Sequence, residues 1–345
     1  MNILMIKTLK NYIKKIIFDK RSKLEFKKKN NQIINKSDLK YYIKSFGNKN
    51  PNKIFYIIQR TPGGGLFSNL NYVLHHLLIC ERHNFIPVVD MENFLTKYNS
   101  KKKYNNTYNS WEYYFTRVSK YSLKNVYNSK NVIITDSKTR KLNFFDSFEN
   151  LNSDHYKMFK KYIKINKNIL NKVKKFKKSN FKNYKILGVH FRGTDMKYQE
   201  RHPFPPTLKQ IKKVINYNLK KYKFNKIFLV TEEVENFNNL KSLYNDKIIF
   251  YNSYRSIKTD IFDNNRKNHR PRIGEENLID MLLLKNTKKI ICSNSHLPDA
   301  SIYFNKRLRK NVQYIQNGYN SNNILIAQFL WKIKNILPKF LGGFD

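Results

Sequence analysis

The sequence predicts an α/β protein built from two domains. Its 345 residues exceed one average domain and can bury two hydrophobic cores. In the first half, a strand at 54–58, a glycine-rich turn, a helix at 66–82 and a strand at 86–90 make one βαβ unit. In the second half, short apolar runs alternate with helical patterns, and three of the runs end in polar residues. We predict a basic segment at 1–45, a first domain at 46–180 and a second domain at 181–345.

The composition is strongly basic. The chain has 68 Lys and Arg against 24 Asp and Glu, a formal net charge of +44, which favours a polyanionic partner. The charge is spread along the whole chain, however, and Lys, Asn, Ile, Tyr and Phe are over-used together, as an AT-rich coding sequence would produce. No DNA- or RNA-binding motif accompanies it. We therefore expect no nucleic-acid partner, and a nucleic-acid-binding protein is kept as the alternative hypothesis.

Cysteine usage and the N-terminal residues bear on location. Cys80 and Cys292 both lie in apolar surroundings, which is typical of small core residues, and no Cys/His spacing suggests a zinc site. This favours a reducing, cytoplasmic location. Residues 1–45 mix lysines with apolar residues but contain no run long enough for a membrane span or a signal peptide. We expect this segment either to contact an anionic membrane peripherally or to pack on the protein as a helix.

The clearest functional signal follows the predicted strand at 186–189. This strand runs directly into His190, Arg192 and Asp195, and a buried strand has no packing reason to end in polar side chains. In open α/β sheets, ligands bind at the carboxyl ends of strands. Arg192 carries a planar fork of donors that suits a phosphate, and Gly193 lets the backbone approach a ligand closely. We therefore predict an anion site here, with a charged surface loop as the alternative.

Three consecutive glycines, at 63–65, form a second candidate. They lie between the first predicted strand and helix, where backbone amides can approach a phosphate at the helix N-terminus. The pattern matches neither the dinucleotide-binding GxGxxG motif nor a Walker loop, and tight turns also use glycine. The candidate donor or acceptor contacts in this region are Gly64, Gly65, Ser68 and Asn69.

With these residues in view, the chain resembles the superfamily of GDP-fucose-dependent fucosyltransferases, which includes the α-1,6-fucosyltransferases, the rhizobial nodulation fucosyltransferases and the protein O-fucosyltransferases. Three pieces carry the resemblance in the family's order: His-Phe-Arg-Gly-Thr-Asp at 190–195, the loop, helix and strand at 63–90, and the helix, strand and Ser-rich turn at 280–296. Gly193 departs from the pattern, because many members have a second Arg there. The resemblance implies a GT-B architecture, in which two Rossmann-like domains face each other across a cleft.

The resemblance also implies an activity: inverting, metal-independent transfer of fucose from GDP-fucose to a hydroxyl of a glycan acceptor. Arg192 would bind the β-phosphate, since Arg and hydroxyl donors can stabilise a departing diphosphate without a metal ion. The sequence has no Asp-x-Asp pair, so we expect neither a metal nor a cofactor. Another nucleotide sugar is the alternative donor. The other implied contacts are His190 and Asp280 to guanine and Ser293 and Ser295 to phosphate oxygens.

Transfer to a hydroxyl also needs a general base. Glu200 is the first candidate, because it lies eight residues after Arg192, the spacing of the catalytic glutamate in α-1,6-type relatives. An ordinary exposed role for Glu200 is the competing interpretation. Asp195 is the second candidate, and Glu232 and Glu233, at the end of the next predicted strand, are the third.

Overall fold

The structure is a computed structural model that describes residues 32–36, 39–135, 153–257 and 260–345, with side chains from Tyr41 onward. Within it, the chain forms two compact units that divide between Asn166 and Lys167. Most of the segment predicted at 1–45 lies outside the described residues.

A five-stranded sheet forms the centre of the first unit. One of its strands pairs in parallel with a neighbour on each side, and two further strands add an antiparallel edge. Mixed sheets of this kind are common in α/β proteins. The spatial order is β1-β2-β5-β3-β4. The strands are β1 (Gln32–Lys36), β2 (Leu39–Lys44), β3 (Lys49–Ile58), β4 (Ile86–Val89) and β5 (Ser129–Ile134).

The predicted βαβ unit is confirmed as β3, helix α1 (Leu66–His83) and β4. The helix buries Leu70, Val73 and Leu74 completely, in keeping with their helical spacing. It ends at Asn84, whose φ of 55° is left-handed, a conformation that Asn tolerates at helix ends. In its described residues this unit also contains the helices α2 (Leu123–Val126) and α3 (Ser153–Tyr162).

The hairpin β1–β2 corrects one expectation. Residues 32–36 and 39–44 form two antiparallel strands and not a helix, while the expected membrane contact of the segment stays a prediction. The ring of Tyr41 is buried against Tyr56 and Phe85, with centroids 6.2 and 5.3 Å away. These aromatic contacts anchor the hairpin in the core, and the local Lys-rich composition does not reveal them.

The second unit contains a five-stranded sheet whose strands all run parallel. Its spatial order is β10-β9-β6-β7-β8. After β6, the next two strands, β7 and β8, are added on one side of it. The last two, β9 and β10, are added on the other side, so the direction of strand order reverses between β6 and β9. Ligands bind at such switch points in open α/β sheets. The strands are β6 (Ile186–His190), β7 (Lys226–Val230), β8 (Ile248–Ile249), β9 (Lys289–Cys292) and β10 (Val312–Tyr314).

Six helices accompany this sheet in the described residues. Helix α5 starts with a capping box, in which Thr207 Oγ1 accepts from the Gln210 amide and the Gln210 side chain accepts from the Thr207 amide. Helix α7 begins at His269 and contains Pro271 in its first turn, where proline is tolerated. The helices are α4 (Lys167–Asn180), α5 (Leu208–Tyr222), α6 (Val234–Tyr244), α7 (His269–Leu284), α8 (His296–Phe304) and α9 (Ile324–Ile336).

Helix α4 lies in the second unit, whereas we predicted a domain boundary near residue 180. Its apolar face carries Phe176, whose ring meets Phe228 of β7 at 6.2 Å. Lys177 Nζ also donates to Asn286 Oδ1 at 2.7 Å. A lysine-rich helix resembles a surface linker in sequence, but these tertiary contacts attach it to the sheet that follows.

Both cysteines are buried, as the sequence predicted, Cys80 within α1 and Cys292 at the end of β9. Within the described ranges, none of the helices combines the length and the apolar character needed to cross a bilayer.

Candidate active site

The candidate site lies at the switch point of the second unit. The ends of β6 and β9 are neighbours, with Val189 paired in register with Ile291. Residues 191–195 follow β6, and residues 293–295 follow β9 and lead into α8. Two segments that are about a hundred residues apart in sequence are therefore brought to one edge of the sheet, where a ligand is expected.

Arg192 is held at this edge by two carboxylates. Its Nη2 donates to Asp195 Oδ1 at 2.8 Å, and its Nε lies 3.4 Å from Glu232 Oε1. The side chain keeps 27% of its surface exposed. The guanidinium is thus oriented by the protein and still accessible, as a group that binds an incoming anion must be.

Glu232, at the end of β7, anchors the segment after β6. Its Oε1 accepts from the Gly193 amide at 2.9 Å and from Thr194 Oγ1 at 3.1 Å, in addition to its contact with Arg192. One carboxylate oxygen therefore contacts three consecutive residues. We predicted Glu232 as a third-choice base, and its occupied oxygen gives it a structural role in the site as well.

Gly193 is required by a neighbouring side chain. A Cβ built on Gly193 would overlap Glu233 Oε2 and lie 3.0 Å from Asn236 Nδ2. Glu233 is fixed there by Lys197 Nζ at 2.6 Å and by Asn236 Nδ2 at 2.8 Å. The position that a Cβ would take is therefore filled by this carboxylate, and a larger side chain at 193 would have to displace it. The close approach of a ligand predicted at Gly193 stays a prediction.

Thr194 has a strained backbone. Its φ of 46° is rare for a β-branched residue. Neighbouring groups surround this residue, since Thr194 Oγ1 lies within donating distance of Glu232 Oε1 and Asp195 Oδ1, and Glu232 also accepts from the Gly193 amide. Backbone strain of this kind persists where the surroundings over-determine it, and it concentrates at functional sites.

Asp195 is the partner of Arg192 and is ionised. Burial acts to raise its pKa, but the charges of Arg192 and His202 and the hydrogen bonds from Thr194 and Arg192 outweigh burial and lower it. A carboxylate with a lowered pKa that is already bonded is a weak proton acceptor. Its geometry suits orienting Arg192 better than accepting a proton.

Glu200 lies in the turn after the 3₁₀ segment Thr194–Lys197 and is half-buried. No ion pair or hydrogen bond joins its carboxylate to another side chain in the part of the chain that the structure describes. The surrounding turn is nevertheless held, since the Gln199 amide donates to the Asp195 carbonyl at 2.9 Å. Among the four candidate carboxylates, Asp195, Glu232 and Glu233 each accept hydrogen bonds from neighbouring groups, and Glu200 does not within the described residues.

His190 and Ser293 end the two central strands with unsatisfied polar atoms. His190 Nδ1 and Ser293 Oγ are buried and have no hydrogen-bond partner within the described residues. Burial lowers the pKa of His190 to about 4, with Arg192 also lowering it and Glu232 opposing. Buried polar groups are almost always paired, so these two atoms at the switch point are candidate contacts for a ligand.

Asp280, on α7, is buried and joined to the segment after β8 and not to His190. Its Oδ2 accepts from Ser253 Oγ at 2.6 Å. Burial raises the pKa of Asp280 to about 7 against the Ser253 hydrogen bond and the Arg255 charge, which lower it. Neither Ser253 nor Arg255 was predicted as a site residue; the available signal was the set of polar residues that follows a fourth apolar run.

Arg255 is itself fixed in that segment. Its Nη1 and Nη2 donate to the carbonyls of Ser253 and Tyr251 at 3.0 and 3.2 Å, and its guanidinium lies 4.1 Å from the Phe237 ring centroid. Burial lowers its pKa while Asp280 and Glu276 raise it. The polar residues Ser253 and Arg255, which follow β8, are therefore held in place by hydrogen bonds at the same edge of the sheet.

Ser295 is the N-cap residue of α8, but its side chain makes no capping hydrogen bond. The first amides of a helix have no intrahelical partner. An uncapped helix start beside Ser293 adds donors to the edge where Arg192 lies, in keeping with the predicted phosphate contacts of Ser293 and Ser295.

The glycine turn lies in the first unit and is secured internally. Asn69 is buried, and its Oδ1 accepts from the Gly64 amide at 3.0 Å. The Leu66 amide donates to Tyr98 Oη at 2.8 Å, and Ser68 O accepts from Arg60. Open space surrounds the Cα of Gly65. Asn69 thus shapes the turn, while the contacts predicted for Gly64, Gly65, Ser68 and Asn69 with a ligand stay predictions.

Across the described ranges, no three His, Cys, Asp or Glu side chains cluster as a metal-holding group. The donors gathered at the switch point are cationic, hydroxyl and amide groups, which suit an anion.

Comparisons with known proteins place these features in context. No protein-family profile matches the chain, and no curated protein matches it. Among solved structures, the chain is similar to the NodZ α-1,6-fucosyltransferase co-crystallised with GDP, with 14% identity, coverage of 72% of this chain and 91% of that one, and a TM-score of 0.46. It is also similar to POFUT1 in complex with GDP, with 10% identity, coverage of 76% and 98%, and a TM-score of 0.42.

A third structure, the fucosyltransferase NodZ from Bradyrhizobium, matches at 14% identity, coverage of 76% and 94%, and a TM-score of 0.46. The two NodZ structures are of a fucosyltransferase. At such identities and TM-scores, function has to be argued from the site itself.

Proposed function

We propose that the chain is a metal-independent glycosyltransferase that moves fucose from GDP-fucose to a hydroxyl of a glycan acceptor with inversion. The observation that carries the proposal is the sheet edge at the switch point. There Arg192 is oriented by two carboxylates, and His190 Nδ1 and Ser293 Oγ are buried without partners. This set fits a nucleoside diphosphate, which presents both an anion and hydrogen-bonding edges.

The diphosphate part is proposed to lie against Arg192, Ser293 and the uncapped start of α8. As the bond between the sugar carbon and the phosphate oxygen breaks, the electron pair stays on the phosphate and negative charge grows there. A fixed guanidinium, a hydroxyl and helix amides stabilise that charge. This chemistry needs no metal ion, so we expect transfer to persist in EDTA; loss of transfer that manganese restores would contradict it.

The guanine part is proposed to meet His190 and Asp280. Guanine presents two neighbouring N–H donors, and Asp280 has one carboxylate oxygen, Oδ1, beyond the one bonded to Ser253. His190 is neutral, so its ring can pair with a base edge without adding charge. Asp280 thereby provides the basis for preferring guanine over uracil or adenine.

The acceptor hydroxyl is proposed to lose its proton to Glu200. In a single displacement, the hydroxyl oxygen attacks the sugar carbon as the diphosphate leaves, which inverts that carbon, and the base takes the proton. Asp195 is bonded to Arg192 and Thr194, whereas the Glu200 carboxylate is available. The acceptor-side role of the first unit and the GT-B arrangement of the two units stay predictions.

The proposal is tested by thermal shift with GDP, UDP, ADP and CMP. GDP should raise the unfolding temperature more than the other three. Arg192→Lys keeps the charge but loses the planar fork, so the GDP shift should shrink and transfer should fall about a hundredfold. Arg309→Lys, at an exposed position, is the matched control. Equal shifts for all four nucleotides, or an unchanged response in Arg192→Lys, would contradict the proposal. Salt-sensitive retention of nucleic acid without a GDP shift would favour the alternative.

A further inference from the structure

Helix α9 presents large apolar side chains to solvent. Leu325, Ile326, Phe329, Ile333 and Ile336 are between 48% and 84% exposed, and we call these five residues the apolar stripe. Their spacing places them on one face of the helix. The exposure continues beyond the helix, where Phe340 is 85% exposed.

The opposite face of α9 is already packed on the second unit. Ala327 is fully buried, and the Trp331 ring lies 6.1 Å from Phe204 and 4.9 Å from Phe344 between centroids. Lys334 Nζ donates to the Gly342 carbonyl at 2.9 Å, which fastens the following turn. In the described part of the chain, α9 therefore packs on the second unit without using the apolar stripe. Contiguous exposed apolar surface of this kind marks an interaction site.

The charges next to the apolar stripe indicate the kind of partner that it binds. Residues 321–344 contain three lysines and no Asp or Glu, and Lys332 and Lys339 are exposed. A second copy of the chain would bring the same lysines, and another net charge of +44, against this face. An anionic lipid surface complements both properties, since acyl chains take the apolar side chains and headgroups take the lysines.

We propose that α9 is an interfacial helix that binds the protein to an anionic membrane surface. The apolar stripe enters the boundary between headgroups and acyl chains, and the helix lies in the membrane plane. Lys332 and Lys339 pair with anionic headgroups. The length of the helix, 13 residues, suits this placement.

The start of α9 is attached to the turn that carries Glu200. The Asn320 amide donates to the His202 carbonyl at 2.8 Å, and the Arg201 amide donates to the Ser321 carbonyl at 3.2 Å. A membrane-bound α9 therefore holds this turn near the lipid surface. The acceptor class follows as a glycan carried by a lipid; this step rests on the proposed function, whereas membrane binding does not.

The test is co-sedimentation of the full chain with vesicles of phosphatidylcholine alone and of phosphatidylcholine mixed with phosphatidylglycerol. The wild type should bind the anionic vesicles, and high salt should weaken that binding. The triple variant Phe329→Ser, Ile333→Ser, Ile336→Ser keeps every charge and should bind about tenfold more weakly or worse. Leu170→Ser with Leu243→Ser removes exposed leucines on other helices and should bind like the wild type.

A fluorophore reports the contact directly. Both natural cysteines are buried, so a single Ile333→Cys can carry an environment-sensitive dye. Its emission should shift to the blue on adding anionic vesicles, while a dye on Leu170→Cys should not respond.

Three outcomes overturn the proposal. The first is unchanged vesicle binding by the triple variant, which would mean that charge elsewhere suffices. The second is a dye at 333 that does not respond to anionic vesicles. The third is a wild type that is dimeric in sedimentation velocity together with a triple variant that is monomeric and still binds vesicles. A GDP thermal shift on the triple variant checks that it is folded. If the wild type binds vesicles but does not bind GDP, the inference of a lipid-linked acceptor is lost and the inference of membrane binding is kept.

Discussion

The backbone amide of Gly193 donates to the Glu232 carboxylate at 2.9 Å, and the same oxygen lies 3.4 Å from Arg192 Nε. A loop at the end of β6 is thereby shaped by a side chain at the end of β7. Arg192 acquires its orientation from this contact and from Asp195, so the site is formed before any ligand arrives. Preorganised charges of this kind contribute most to stabilising a leaving group.

Glu232 should behave as a positioning residue. Glu232→Ala leaves the Gly193 amide without its acceptor and frees Arg192, so kcat should fall roughly ten- to hundredfold with little change in the KM for acceptor. Glu232→Gln keeps an acceptor oxygen for Gly193 and Thr194 and should restore part of the rate. Steady-state kinetics measures both. Glu235→Ala, exposed in the first turn of α6, is the control. A Glu232→Ala enzyme with normal kcat would exclude this role.

Gly193 and Glu233 should be coupled in stability. Gly193→Ala places a methyl group against Glu233 Oε2, and overpacking of this kind destabilises by about 1–3 kcal/mol. Glu233→Ala removes the obstacle, so the double variant should be less destabilised than the sum of the single variants. Denaturant unfolding gives the free energies. Strict additivity would show that the two residues do not compete for the same space.

Glu200 should be needed for transfer and not for donor binding. Glu200→Gln removes the proton acceptor and keeps the shape, so turnover should fall about a hundredfold while GDP affinity is unchanged. Calorimetric titration with GDP and a transfer assay separate the two effects. The carboxylate of Asp195 would take over as the candidate if Glu200→Gln turns over normally, with Glu232 next.

Asp280 should make stability fall as pH rises. Burial raises its pKa to about 7, above the unfolded value of about 3.9, so the folded protein holds this proton more tightly. The stabilisation is complete below pH about 4 and is lost as pH rises through 7. The Asn side chain of Asp280→Asn cannot lose a proton. The difference in unfolding temperature between this variant and the wild type should therefore increase in the variant's favour from pH 5 to pH 8.

Thermal unfolding of both proteins across this pH range isolates Asp280 from His190, whose lowered pKa acts in the opposite direction and is common to both. A constant difference between the two curves would refute the assignment. In the proposed guanine site, the same Asp280→Asn change should also weaken GDP binding more than it weakens inorganic pyrophosphate binding.

Local patterns in the sequence were sufficient to predict the βαβ unit, the strand before His190 and the polar strand ends, because period and composition report burial directly. Contacts between distant segments were not predictable. The role of Glu232 depends on a bond across 39 residues, and the requirement for Gly193 depends on where Glu233 packs. The hairpin β1–β2 was missed for a similar reason, since aromatic packing overrode a lysine-rich composition.

The side-chain amide of Asn320 connects two segments of the second unit. Asn320 Nδ2 donates to the Gln199 carbonyl at 3.1 Å and to the Ala327 carbonyl at 3.2 Å, so a single side chain joins the Glu200 turn to the first turn of α9. Fraying of that helix end and release of the turn are therefore one cooperative opening event and not two independent ones. Any restraint on the first turn of α9 is therefore also a restraint on the turn that carries Glu200.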